Sequence, residues 1–361
     1  LTAFVAWLRP GALALEGAQR FAPDERPSAV LIDPSFVGDA VFAAPAALAL
    51  VDAGWRVGVV VRPPADVIAR RYRSPVAVHV FDKRGADRGL AGLRRFSAAL
   101  RAERYAVALV PHPSLRSAFL ARWAGIPRRV GLSDGASGPW FTERIPAPQG
   151  LVERRSALAH HVLGPGSAPH GVLGVLARRA DPDRPGPRAG LCLGANFETK
   201  RWPARAAIAL VDGVREVEPT VTWVLLGSEA ERGLYAPLVA HLEARRVPYV
   251  DALGGGLGEL VQALESCRVV VGGDTGPVHV ARGLGIPVVL LEGPTSGAVL
   301  GLGAEADVVT MGLACQPCSK HGDRRCPLGH HACLSTLPGE RVAAALLSRW
   351  AQLDARAGER P

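Results

Sequence analysis

The chain has 361 residues, 48% of them hydrophobic and 21% charged, with 41 glycines and 30 prolines. Its length suits two domains with separate cores, and its apolar content excludes a disordered chain. The net charge of +9 favours an anionic partner such as a nucleotide, a phosphosugar or an acidic membrane.

All but three of the basic residues are arginine, the exceptions being Lys83, Lys200 and Lys320. With only 6% aromatic residues to stack on bases, the chain does not read as a nucleic-acid binder. No apolar run reaches the roughly 18 residues needed to cross a bilayer. Phe4, Val5, Trp7 and Leu8 form an apolar start, but no basic residue precedes them and Pro10 follows. That pattern makes a poor signal peptide. It reads as a helix packed on the body or resting on a membrane surface, and the expected location is cytoplasmic.

In chain order, strands are predicted at residues 29–33, 57–61, 76–81 and 106–110, with helices at 40–53, 65–72 and 90–104 between them. Short β-branched runs alternating with helical patterns build a parallel sheet covered on both faces. The stretch 177–190, rich in Pro, Gly and charge, reads as a linker. Alternation then resumes, with strands at 190–193, 221–226, 269–271 and 288–291 and helices at 204–216, 229–245 and 257–266. The expected domains are 1–176 and 188–337, followed by a last helix in 338–361. Two doubly wound α/β domains place candidate ligand sites beyond the carboxyl ends of their strands, in a cleft between facing sheets.

Five motifs carry chemistry. Residues 31–45 run from a buried strand through Pro34 and Ser35 into a helix with Asp39 in its first turn. Asp39 there either complements the helix dipole or serves as a general base at a rigid strand end. Residues 269–281 give a three-valine strand, Gly272-Gly273, Asp274 and a helix restarting at Pro277. The amides of Thr275 and Gly276 then lie at a helix N-terminus, which suits a phosphate. Asp274 fits sugar hydroxyls, and His279 either donates to phosphate or fills the core. In residues 193–203, Lys200 offers a compact ammonium for a phosphate oxygen, or is an ordinary loop lysine. In residues 225–231, Glu229 or Glu231 could accept from ribose hydroxyls, or simply start a helix. Last, Cys315, Cys318, Cys326 and Cys333 crowd into 19 residues and read as a structural zinc or iron site, with His321, His330 and His331 as substitute ligands.

The ordered set resembles glycosyltransferase family 9, the ADP-heptose:lipopolysaccharide heptosyltransferases. The resemblance rests on Ser35–Asp39 running to Pro45, Thr199-Lys-Arg-Trp-Pro203, and Gly273–His279 with Gly293-Pro-Thr295. The Cys315–Cys333 segment is also similar to the cysteine-rich tail of many members. The resemblance implies a GT-B fold and an inverting transfer from ADP-heptose to an acceptor hydroxyl, with no catalytic cofactor. It makes Asp39 the base and gives Lys200, Thr275 and Gly276 the departing ADP. Asp274 would position the heptose, and Glu229 would hold the ribose. The implied acceptor is inner-core lipopolysaccharide, or alternatively a protein or natural product, with peripheral membrane contact. A non-catalytic nucleotide-sugar binder is the competing reading. Many members carry a basic residue where Asp33 stands and a histidine near Phe42, so this chain departs from the pattern on the acceptor side.

Overall fold

The computed structural model describes residues 26–165, 171–179 and 186–358. The apolar start, Phe4 to Leu8, lies outside the described residues. The chain divides into two units, Leu1–Leu176 and Ala177–Pro361. Among the described residues no helix is long and apolar enough to cross a membrane.

The first unit runs β1 (Ser28–Ile32), α1 (Val37–Asp52), β2 (Arg56–Val61), α2 (Asp66–Ala69), β3 (Ala77–Val80), α3 (Gly89–Ala102), β4 (Val107–Val110), α4 (Leu115–Trp123), β5 (Arg128–Leu132), β6 (Glu143–Ile145) and α5 (Leu151–Leu163). The strands form one parallel sheet in the order β3-β2-β1-β4-β5-β6. β1 and β4 are buried along their whole length, as expected for central strands covered on both faces. The helix expected over 65–72 shrinks to the single turn of α2. Tyr72 turns inward instead and donates its hydroxyl proton to the Ala40 carbonyl at 2.5 Å.

The second unit repeats the plan with β7 (Arg188–Cys192), α6 (Ala204–Arg215), β8 (Thr222–Gly227), α7 (Arg232–Ala244), β9 (Tyr249–Leu253), α8 (Leu257–Ser266), β10 (Val269–Gly273), α9 (Gly276–Gly283), β11 (Val288–Glu292), β12 (Ala306–Thr310), α10 (Ala332–Ser335) and α11 (Gly339–Gly358). Its parallel sheet is ordered β12-β11-β10-β7-β8-β9. Counted from its own first strand, this is the connectivity of the first unit again. The final helix is no appendage: Val342, Ala343, Leu346 and Trp350 join the core of this unit. In each sheet the strand order reverses beside the first strand, between β1 and β4 and between β7 and β10. Loops leaving strand ends on either side of such a point splay apart and leave room for a ligand.

Two glycines at the end of β10 let this point close up. A Cβ on Gly272 would lie 2.7 Å from the Cβ of Cys192 on β7, and one on Gly273 would lie 3.2 Å from the Lys200 carbonyl oxygen. The Gly-Gly pair therefore draws the loop that follows β7 against the end of β10.

Candidate active site

In the first unit the chain leaves β1 at Asp33, turns at Pro34 and Ser35, and enters α1 with Phe36 as the N-cap. Asp39 Oδ2 accepts from the Phe36 backbone N–H at 2.9 Å and so reaches back to the N-cap of α1. Its other oxygen meets a partner the sequence did not announce. Arg155 of α5 donates to Asp39 Oδ1 at 2.6 Å and, through Nε, to Asp33 Oδ2 at 2.9 Å. It also donates to the Leu151 carbonyl at 2.6 Å. Burial alone opposes the guanidinium charge, but the two carboxylates outweigh it and raise the Arg155 pKa.

Asp33 is as buried as Arg155, and its Oδ1 has no hydrogen-bond partner among the described residues. The Asp39 side chain keeps 15% of its surface exposed. The departure at position 33 thus has a structural answer, because an acidic residue there shares Arg155 with Asp39. Two basic side chains hold the same loop from the neighbouring strand ends: Lys83 Nζ donates to the Pro34 carbonyl at 2.6 Å, and Arg62 Nε donates to that of Ser35. Removing Arg155 would leave two carboxylates together without the guanidinium that bridges them, so Arg155→Ala should cost about 3–5 kcal/mol of stability. Urea unfolding checks this, and Arg155→Lys, which keeps the charge but not the fork, should recover part of the loss.

In the second unit the structure brings together Lys200, Asp274 and His279, and adds Thr295. Lys200 Nζ donates to Asp274 Oδ2 at 2.6 Å and to the Asp274 carbonyl at 3.2 Å. Thr295 Oγ1 donates to the same Oδ2 at 2.8 Å, and His279 Nε2 lies 2.7 Å from Oδ1. Burial pushes the Asp274 carboxyl pKa up, but the hydrogen bonds and charges of His279 and Lys200 outweigh it and hold the group far below the usual carboxylate range. A carboxylate so firmly ionised only accepts, so His279 Nε2 must carry the proton.

Two sequence expectations change as a result. The Nε2 proton of His279, a buried side chain, is committed to Asp274 and not presented to a phosphate. Both Asp274 oxygens are engaged, which makes this residue the holder of the Lys200 ammonium first and a sugar contact second. Of the three Lys200 protons, Asp274 engages two, leaving one for a ligand. Thr275 is the N-cap of α9 and Gly276 its first residue. The first-turn amides of that helix have no intrahelical partner, and they start beside Lys200.

The cysteine-rich segment grips this loop from the other side. Thr199 Oγ1 donates to the Asp323 carbonyl at 2.8 Å, and the Asp323 amide lies 2.9 Å from the same hydroxyl. His331 Nε2 donates to the Thr199 carbonyl at 2.6 Å. Gly322, at φ +88°, packs on the Lys200 side chain: a Cβ there would lie 2.8 Å from Lys200 Cε. Residues 322–331 therefore fix the approach of the lysine.

The same segment gives the expected metal site no support. Among the described residues no three His, Cys, Asp or Glu side chains gather as a metal ion requires. The four thiols differ in burial, though they lie close enough together that, besides burial, the charges of Cys315, Cys318 and Cys326 raise the Cys333 pKa. Cys333 is buried in the apolar core beside Leu334, whereas Cys318 is exposed and Cys315 and Cys326 are intermediate. The zinc or iron expected at Cys315, Cys318, Cys326 and Cys333 thus has no support among the described residues.

Glu229 and Glu231 separate cleanly. Glu231 Oε2 accepts from the Ser228 amide and hydroxyl, both at 2.8 Å, and so closes a capping box. Glu229 is exposed after β8 and accepts from Arg232 Nε at 2.9 Å, a bond that lowers its pKa. It follows the strand next to β7, at the same carboxyl ends of the strands that Lys200 and Asp274 follow.

With this geometry in place, comparison with known proteins is decisive on one point. Residues 93–329 match the sequence profile described as glycosyltransferase family 9 (heptosyltransferase). The chain belongs to that family. "Lipopolysaccharide heptosyltransferase 2" of Escherichia coli K12 is 28% identical over 228 residues, covering 56% of this chain and 64% of the relative. The match therefore spans just under two thirds of that curated relative. Among solved structures, the family 9 glycosyltransferase of Veillonella parvula superposes with a TM-score of 0.76 at 20% identity, covering 89% of this chain and 96% of its own. The E. coli heptosyltransferase WaaC with ADP-2-deoxy-2-fluoro heptose gives 0.69 at 19% identity, covering 89% and 99%. These likenesses establish the GT-B fold, with its two doubly wound α/β halves.

Proposed function

We propose that this family 9 chain transfers heptose from ADP-heptose to a hydroxyl of inner-core lipopolysaccharide, with inversion at the anomeric carbon. The observation that carries this reading is the Lys200 ammonium, held by Asp274 at the reversal point of the second sheet beside the first turn of α9. A compact cation next to unpaired amides suits a diphosphate, both when bound and when charge builds on it as a leaving group. The relative named as a lipopolysaccharide heptosyltransferase and the solved structure holding an ADP-heptose analogue support the same donor and acceptor class.

In this reaction Asp39 removes the proton from the acceptor hydroxyl. The oxygen attacks the anomeric carbon from the face opposite the diphosphate, and the electrons of the breaking C–O bond leave with ADP. Lys200, with the amides of Thr275 and Gly276, stabilises that departing charge. Asp274 orients Lys200 and positions the heptose, and Glu229 accepts from the ribose hydroxyls. An anionic acceptor is favoured over a neutral one because cations outnumber carboxylates around Lys83, beside the Asp39 loop: burial and the charges of Arg62, Arg116 and Arg84 lower its pKa, against the opposing charge of Asp33.

Mass spectrometry of products from ADP-heptose and a panel of core glycans, peptides and small alcohols tests the proposal. A heptose added to the core glycan is expected. Donor binding without transfer to any acceptor would leave a nucleotide-sugar binder instead. Glu229→Ala should raise the donor KM about tenfold and leave kcat unchanged, because ribose contacts persist from ground state to transition state. Initial rates against donor concentration check this.

A further inference from the structure

At the end of β1 the charges do not balance. Arg155 Nη2 lies 2.6 Å from Asp39 Oδ1 and 2.7 Å from Asp33 Oδ2, so a single nitrogen bridges both carboxylates. Asp39 alone would neutralise the guanidinium. Asp33 makes the group net negative, although its side chain is as buried as that of Arg155, and burial disfavours excess charge. Its Oδ1 has no hydrogen-bond partner among the described residues. A buried, half-satisfied carboxylate that is surplus as a counter-ion points to a role other than holding the fold.

The surroundings preserve this sharing. The Asp33 amide donates to the Val60 carbonyl at 3.0 Å, and the Asp33 carbonyl accepts from the Ser35 amide at 2.8 Å, which fixes the strand end. The Phe42 ring, one turn beyond Asp39 on α1, lies 6.0 Å from the guanidinium carbon and brings no charge of its own. Asp33 and Phe42, the two departures on the acceptor side, thus both meet Arg155. The other titratable groups in range come from three further elements, and each is committed to a backbone carbonyl. Arg62, after β2, donates to Ser35; burial and Arg84 lower its pKa against the charge of Asp39. Lys83, after β3, donates to Pro34 and is in range of Asp33. Tyr72, after α2, donates to Ala40; burial and the charge of Asp33 raise its pKa against that of Arg155, so it stays neutral.

A guanidinium given wholly to one carboxylate favours its ionised form and makes it a poor proton acceptor. We propose that Asp33 is a positioning residue that keeps Asp39 basic: by taking part of the Arg155 charge, it lets that guanidinium aim the Asp39 carboxylate without quenching it as a base. The inference rests on the reading of Asp39 as the base of the proposed transfer.

Profiles of kcat against pH for the full chain and its variants test it, with rates divided by the folded fraction read from tryptophan fluorescence at each pH. Asp33→Asn leaves Arg155 to Asp39 alone, so the acid limb of the profile should move about one unit lower. The plateau kcat should fall a few-fold with it, because a weaker base takes the hydroxyl proton less readily. Asp33→Glu keeps the charge and should hold the limb near its wild-type place. Arg155→Gln removes the cation beside two carboxylates, so its limb should move about one unit the other way. Donor KM should stay near that of the wild type throughout. A merely structural role would lower kcat without moving the limbs in opposite directions. The Asp33 pair carries the test by itself if Arg155→Gln does not fold, since Arg155 then keeps Asp39 as its counter-charge. Limbs that stay put, or that shift the same way, would overturn the proposal and leave Asp39 as the base if Asp39→Asn is inactive. An active Asp39→Asn would overturn both.

Discussion

Asp39→Asn is expected to lower kcat by about 10²–10⁴-fold while donor affinity stays near that of the wild type. The amide has the size of the carboxylate but cannot take up a proton, so in the proposed mechanism the acceptor hydroxyl loses its base. The proposed donor groups, which follow strands of the second sheet, are untouched. A stability change comes with it, for a reason visible in the loop. Asp39 accepts from the Phe36 amide with one oxygen and from Arg155 with the other, whereas an asparagine must turn its NH2 toward one of these donors. That mismatch should cost about 1–3 kcal/mol. Single-turnover rates, donor titration and urea unfolding separate the effects. A variant that keeps most of the wild-type rate would remove Asp39 from the mechanism, whatever its stability.

The second large effect concerns Asp274. Asp274→Asn removes the charge that Lys200, His279 and Thr295 converge on, and breaking a buried pair on one side costs about 3–5 kcal/mol. Activity should fall as well, because the ammonium is no longer aimed. The pH dependence has a definite sign. The folded-state pKa of Asp274 is depressed, so the unfolded chain takes up this proton first on acidification, in the usual carboxylate range near about 4. Its stabilisation is complete above that range and is lost as the pH falls through it toward the folded value. Wild-type stability should therefore drop more steeply between pH 6 and pH 3 than that of Asp274→Asn. Urea midpoints across that interval measure the difference, and parallel curves would show that Asp274 holds nothing together.

What the sequence made legible follows from how local each signal is. The continuous valine runs of β2 and β10 mark buried parallel strands, and the Gly-Gly-Asp-Thr-Gly-Pro order announces a strand end, a loop and a helix start within a few residues. Two edge strands gave no such run: β6 is only Glu143–Ile145, and β9 exposes Val250 and Asp251 side by side, so neither carries a strand signal. Lys200 and Asp274 could be singled out separately, but their pairing spans 74 positions and depends on sheet order. Arg155 was less visible still. It lies 116 residues from Asp39, in a chain where arginine is everywhere, and only the packing of α5 on α1 distinguishes it. The spacing of the cysteines suggests ligands, but it says nothing of the contacts that Gly322, Asp323 and His331 of the same segment make with Thr199 and Lys200.

The repeated connectivity has a consequence for how the molecule tolerates wear. Asp33, Lys200 and Asp274 all follow β1, β7 or β10, strands flanked by neighbours on both sides, while the rims β3, β6, β9 and β12 supply none of them. Fraying and mutational drift start at margins, where a strand is tied along one side only. These loops are thus moored amidships, each leaving a strand tied along both sides.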